Sequence, residues 1–158
     1  MTTRSSRISL RVQSIVRLAV LLAAASTVGA AQTPTALAPV TVYKSVTCGC
    51  CGNWNEHLRA SGFAVTNHDL QDVTPIKDKH HVPAALRSCH TALVGGYIVE
   101  GHVPADVIRK LLRERPAIAG IAVPGMPMGS PGMEGPRKDA YDIIAFDKAG
   151  KTSVYASK

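Results

Sequence analysis

Four cysteines are the residues of this sequence whose type and spacing best suit chemistry. Three of them fall within four positions, as Cys48-Gly49-Cys50-Cys51, and the fourth is Cys89. Adjacent cysteines such as Cys50 and Cys51 rarely bond to each other without strain, and a small disulfide-stabilised domain spreads its cysteines along the chain. Clustering therefore favours a metal or redox site over a structural framework. Thiolates are soft ligands that select Cu(I), zinc or iron–sulfur clusters.

The cysteine cluster lies between a predicted strand, Val40 to Lys44, and a predicted helix that ends at Ser61-Gly62. The free N–H groups and the dipole at a helix start favour the thiolate form of a cysteine. Cys48 and Cys51 are one turn apart and can point to a common centre. Cys50 projects differently, which suits a site in which several metal ions are bridged.

The rest of the chain predicts one α/β domain. The predicted elements are a strand at 63–68, a helix around 75–80, a single-turn helix at 83–86, a hairpin of 91–94 and 97–99, a helix opened by Pro104, a long ordered loop at 120–136, and a last hairpin of 141–146 and 152–155. This order predicts a thioredoxin or glutaredoxin-like sheet with flanking helices plus a C-terminal β-hairpin. In that layout Cys89 precedes a hairpin strand and faces the other three cysteines, so that two loops supply four sulfurs.

The N-terminal segment has the order of a secretory signal. Four arginines precede or border an apolar run, Leu18 to Ala25, and small residues follow up to Ala30. That run is far shorter than the roughly 20 residues needed to cross a bilayer, so we expect no permanent membrane span. We predict a signal peptide at 1–30, a linker at 31–39, a copper-binding thioredoxin-like domain at 40–158 and a periplasmic location.

Charge argues against a nucleic-acid partner. The whole chain carries a formal charge of +7, but four of its 18 basic residues and none of its 11 acidic ones lie in the predicted signal, which leaves +3. No basic stripe with interleaved aromatic residues remains.

Histidines and methionines supply further candidate ligands. His90 adjoins Cys89, and His102 follows the second hairpin strand, so either could bind metal or tune a sulfur through a hydrogen bond. Met126 and Met128 lie in the predicted loop, and thioether sulfur also binds Cu(I). Methionine equally fills gaps beneath loops. We favour packing for Met126 and leave Met128 and Met133 open.

Several separated motifs together resemble those of the CopG-like copper-resistance proteins, a domain long catalogued as of unknown function. The resemblance spans about Val40 to Tyr155, and its motifs include Thr47-Cys48-Gly49-Cys50-Cys51, Ser88-Cys89-His90-Thr91, Glu100-Gly101-His102-Val103-Pro104 and Val123-Pro124-Gly125-Met126-Pro127. It implies a thioredoxin-like fold, export, copper resistance and a redox-active copper cluster held by Cys48, Cys50, Cys51 and Cys89.

From the residues and this resemblance we expect an exported protein that holds Cu(I), as several ions, in a four-cysteine site and cycles it between Cu(I) and Cu(II). Its expected partners are copper ions and other periplasmic copper-handling or electron-transfer proteins. One alternative is a thiol–disulfide oxidoreductase that uses Cys48 and Cys51. Another is a zinc or iron–sulfur protein with the same four ligands.

Overall fold

The computed structural model describes residues 37–158, which lie within one compact unit. In that range three α-helices and seven strands follow one another with a single 3₁₀ turn at Ala84–Leu86. The elements in chain order are β1 Val40–Ser45, α1 Gly49–Ala60, β2 Val65–Leu70, α2 Thr74–Lys79, β3 His90–Val94, β4 Tyr97–Glu100, α3 Ala105–Glu114, β5 Gly120–Ala122, β6 Asp142–Phe146 and β7 Thr152–Ser157.

The described strands form one sheet in the order β2-β1-β3-β4-β5-β6-β7. The β1–β2 and β4–β5 pairs are parallel, and the other neighbours are antiparallel. The fold is therefore mixed α/β, as predicted, and its first four strands with their helices are consistent with a thioredoxin-like arrangement. The predicted C-terminal hairpin is confirmed as β6 and β7.

Both faces of the sheet are covered. On one face, α1 and α3 pack against the sheet with fully buried side chains such as Trp54, Leu58 and Ile108. On the other, Val82 and Leu86 pack near Phe146. Buried positions three or four apart give each helix its apolar side, so the same side of α1 carries Cys51, Trp54 and Leu58.

The tight turn between β3 and β4 follows directly from the sequence. Gly95 and Gly96 have φ angles of +57° and +90°, a backbone region that only glycine enters without steric cost. The two-glycine hairpin is therefore confirmed, with both residues in the conformation predicted for them.

The prediction of one uninterrupted loop over 120–136 is wrong. Gly120–Ala122 forms β5, which is fully buried between β4 and β6. Three residues give no periodic pattern, so the strand is defined by hydrogen bonds to its neighbours rather than by local propensity.

The predicted signal peptide at 1–30 and most of the predicted linker at 31–39 lie outside the described residues. In the range 37–158, no helix has the length and apolar character needed to cross a membrane.

Candidate metal centre

The sheet brings three segments to one edge. Strand β1 ends just before the cysteine cluster, and its Lys44 pairs with His90 at the start of antiparallel β3. On the other side of β3, Thr91 pairs with Glu100 at the end of β4. Strand pairing therefore places Cys89 beside the start of α1 and close to the segment that follows β4.

The four cysteines predicted from the sequence converge at this edge. One ligand atom from each of Cys48, Cys50, Cys51 and Cys89 lies within 4.8 Å of the others. Cys51 is fully buried, and the other three are half-buried. The arrangement gives three sulfur donors from the N-terminal end of α1, with Cys48 at its N-cap, and a fourth from the loop that precedes β3.

Two of these cysteines are joined in the structure. Cys48 and Cys51 form a disulfide, and Cys50 and Cys89 are free. The Sγ atoms of Cys48 and Cys50 are 3.5 Å apart. Since a metal takes up thiolates rather than disulfide sulfurs, four sulfur ligands become available only after this bond is reduced.

Cys89 lies between two histidine rings. Its Sγ is 3.2 Å from Nδ1 of His90 and 3.0 Å from Nε2 of His102. These three residues form a second group whose ligand atoms lie within 4.8 Å of one another, and this group shares Cys89 with the cysteine group. Both histidines singled out in the sequence thus lie at the site.

The environment of Cys89 favours its protonated form. Burial raises the pKa of the thiol to about 11, and the hydrogen bond from the Ser88 hydroxyl acts against this only in part. A metal that used this sulfur as a ligand would have to displace a proton from Cys89, and its binding there would become more favourable as pH rises.

Both histidines are held neutral by burial. Burial lowers the pKa of His90 well below its usual value, and repulsion from His102, were that ring protonated, would act in the same direction. Burial also lowers the pKa of His102, while its hydrogen bond to the Pro131 carbonyl acts against that. Neutral imidazole is the form that offers a nitrogen lone pair.

The rings of Trp54, His90 and His102 lie in contact with one another, tilted or edge-on. The Trp54 ring lies 4.3 Å from that of His90, and His90 meets His102 edge-on at 5.1 Å between centroids. Trp54 donates its indole N–H to the Val103 carbonyl at 2.9 Å. The prediction that Trp54 belongs to the core is confirmed, and it also fixes the ring next to Cys89.

The segment after β5 closes over the start of α1. The Pro131 carbonyl lies 2.8 Å from Nδ1 of His102. Gly132 has a φ of +83°, and a Cβ there would lie 2.6 Å from the Cys50 carbonyl oxygen. Only glycine permits this approach. The sequence reasoning missed this contact, although the glycines and prolines of the segment were a signal for a tightly packed turn.

The sequence also did not reveal a buried ion pair near Cys89, formed by Lys77 and Glu100. Lys77 lies 2.5 Å from the Glu100 carboxylate, which also accepts the Ser88 backbone N–H at 2.6 Å and the Thr91 hydroxyl at 2.7 Å. Burial raises the pKa of Glu100, and the Lys77 ammonium opposes that rise. These bonds fix the backbone on both sides of Cys89.

Met126 and Met128, the two methionines considered as further ligands, differ in how far they are exposed to solvent. Met126 is 42% exposed with a φ of +48°, so the prediction that it fills a gap beneath the loop is wrong. Met128 is half-buried, and its thioether lies against Gly135. A role for Met126 or Met128 in copper binding stays a prediction.

The donor set fits a soft metal ion. Four cysteine sulfurs form one group of donors, and two neutral imidazoles form a second group with the shared Cys89. Sulfur-rich sets select Cu(I), zinc or iron–sulfur clusters. Exchange between the disulfide and the free thiols is the other chemistry that this arrangement allows.

Comparison with known proteins gives a family match and two structural matches. Residues 86–133 match the family described as "Protein of unknown function, DUF411". Two solved structures, titled "Copper resistance protein copG- Form 2" and "Copper resistance protein copG- Form 1", are each 47% identical to this chain with a TM-score of 0.73. Each match covers 77% of this chain and 98% of the other. No curated protein matches this sequence.

Proposed function

Because this chain belongs to the CopG family of copper resistance proteins, we propose that it binds Cu(I) through the thiolates of Cys48, Cys50, Cys51 and Cys89. The observation that carries this proposal is the convergence of these four sulfurs within 4.8 Å. Thiolate is a soft ligand suited to Cu(I), and removal of free copper is the chemistry that resistance or homeostasis requires.

The site holds several copper ions. The sulfurs come from the start of α1 and from the loop before β3, and three of them are half-buried, so they are open on one side to incoming metal. A thiolate can bridge two ions, which lets four sulfurs serve more than one copper. Cu(I)/Cu(II) cycling is part of the proposal because neutral imidazole, a ligand for copper in either state, lies 3.0 Å from Cys89.

The protein works in the periplasm, after export directed by residues 1–30. Its partners there are copper ions and other copper-handling or electron-transfer proteins. Cell fractionation and the intact mass of the isolated protein test export. Cleavage near Ala30 with recovery in the periplasmic fraction is the expected result, and an uncleaved protein in the cytoplasmic fraction would contradict it.

Copper loading of Cys89→Ser tests the ligand set. The variant keeps the size of the side chain but loses the thiolate, so bound Cu(I) should fall sharply while the circular dichroism spectrum stays unchanged. Loading is measured under anaerobic conditions with reduced protein and a competing Cu(I) chelator. Full loading of the folded variant would remove Cys89 from the ligand set.

A second candidate function has one observation in its favour. The Cys48–Cys51 disulfide, with one half-buried and one fully buried sulfur, matches the pattern of a thiol–disulfide oxidoreductase. The double variant Cys50→Ser/Cys89→Ser distinguishes the two functions. An oxidoreductase should keep reducing a disulfide substrate in this variant, whereas a copper-binding protein should lose most of its bound metal.

A further inference from the structure

The Cys48–Cys51 disulfide raises the question of which molecule reduces it. The sequence has four cysteines, and Cys50 and Cys89 are the two that are free. Opening a disulfide to two thiols takes up two electrons. If Cys50 and Cys89 supplied these electrons, their own sulfurs would become a disulfide in turn, so exchange within the chain never yields four thiols. The electrons must therefore come from another molecule.

The two sulfurs of the disulfide differ in their access to such a molecule. Cys51 is 0% exposed and lies on the side of α1 that packs against the sheet. Cys48 is half-buried at the N-cap of α1, and the preceding residues Val46 and Thr47 are exposed. An incoming thiolate must reach the sulfur that it attacks. The attack therefore falls on Cys48, and the sulfur of Cys51 leaves as a thiolate.

The mixed disulfide that this attack creates at Cys48 has thiols of the same chain close to it. The Sγ atom of Cys50 lies 3.5 Å from that of Cys48. Groups held this close react as if they were at very high concentration, so Cys50 or the released Cys51 attacks Cys48, restores an internal disulfide and expels the incoming thiol. A reductant with a single thiol is thus displaced before a second molecule arrives.

We propose that an exported dithiol protein reduces the Cys48–Cys51 disulfide before copper is loaded, and that its first thiolate attacks Cys48. Its second thiolate then attacks the first donor sulfur in the mixed disulfide. That bond breaks, Cys48 leaves as a thiolate, and the donor departs as a disulfide after giving up two electrons. This inference rests on the proposed copper function and adds the class of reaction that must precede metal binding.

Thioredoxin is a suitable dithiol probe, and its variant with the second active-site cysteine replaced by serine is the matched probe with one thiol. Each is incubated anaerobically with the oxidised full chain, whose thiols are counted after separation. Thioredoxin should raise the count from two to four and increase Cu(I) uptake to that of chemically reduced protein. The single-thiol probe should do neither. Equal reduction by the two probes would overturn the requirement for a dithiol.

The sulfur that is attacked can be identified in the double variant Cys50→Ser/Cys89→Ser, in which fewer thiols compete for the mixed disulfide. After acid quenching of its reaction with the single-thiol probe, fragmentation mass spectrometry should find the probe linked to Cys48. A link mainly to Cys51 would overturn the assigned site of attack.

Two controls separate this inference from the function on which it rests. If chemically reduced protein binds no copper, the proposed function fails, while the thiol counts still decide whether a dithiol protein opens the disulfide. Cu(I) added alone to the oxidised protein should leave the disulfide intact. Loss of the disulfide with the appearance of Cu(II) in electron paramagnetic resonance would make Cu(I) the reductant and overturn the need for a dithiol donor.

Discussion

Lys77 Nζ lies 2.5 Å from Oε1 of Glu100, and their side chains are only 5% and 0% exposed. The same carboxylate accepts the backbone N–H of Ser88, directly before Cys89. The ion pair therefore ties α2 to the end of β4 and holds the loop that presents the fourth cysteine.

Replacing Lys77 with methionine should destabilise the protein by about 3–5 kcal/mol, because Glu100 is left as an uncompensated buried charge. Urea unfolding at neutral pH measures this loss. The matched control is the double variant Lys77→Met/Glu100→Gln, which removes both charges and should recover much of the stability. A single variant as stable as the wild type would mean that the pair does not hold the loop.

His57 should make stability depend on pH. Its Nε2 accepts the Ala105 backbone N–H at 3.2 Å, at the start of α3, and burial lowers its pKa below 6.5. The unfolded chain therefore binds more protons below pH 6.5, so this stabilisation is complete above that pH and is lost as pH falls below it.

The variant His57→Gln isolates that effect, since its amide oxygen can accept the same hydrogen bond but does not titrate. Its stability should fall less than that of the wild type between pH 7.5 and pH 5.5, as measured by urea unfolding. Equal losses in the two proteins would show that other groups cause the pH dependence.

Gly132→Ala should weaken both the fold and copper binding. The new Cβ would lie 2.6 Å from the Cys50 carbonyl oxygen and 2.8 Å from the Trp54 backbone nitrogen. The loop must then move away from α1, and Pro131 moves with it, which disturbs His102. We expect a loss of about 1–3 kcal/mol in stability and a lower affinity for Cu(I) in chelator competition.

Gly125→Ala is the matched control for that variant. Gly125 lies in the same segment with a similar φ of +75°, but a Cβ there would have no neighbour within 4 Å. It carries the backbone strain without the clash, so its copper affinity should equal that of the wild type. An equal loss of affinity in both variants would point to strain rather than to the contact with α1.

Reduction of the Cys48–Cys51 disulfide should increase the amount of Cu(I) that the protein binds. As isolated without reductant, the chain should show two reactive thiols, those of Cys50 and Cys89, after denaturation. The reduced protein should show four and bind more Cu(I). Equal copper uptake by the two forms would mean that Cys48 and Cys51 are not both ligands.

The elements that position the site were largely predictable, since each has a local signal. The β-branched residues of β1, the glycine pair of the hairpin and Pro104 before α3 each act within a few positions. The cysteine cluster was predictable for the same reason, because three of the four cysteines fall within four positions.

The features of the site that could not be predicted from the sequence depend on contacts between residues that are far apart in the chain. Lys77 and Glu100 are 23 positions apart, and neither has a local pattern that reveals its partner. The approach of Gly132 to Cys50 depends on how a loop folds back onto α1. Nor does residue order alone decide whether Cys48 and Cys51 are thiols or a disulfide, since the redox conditions set that balance.

The measurement that tests the central claim most directly is the copper content of the fully reduced protein after anaerobic addition of Cu(I), with free thiols counted in the same sample. The proposed function predicts more than one copper per chain and thiols protected from modification. Absence of copper, with four reactive thiols and a Cys48–Cys51 disulfide that forms and breaks reversibly, would contradict it and favour a thiol–disulfide oxidoreductase.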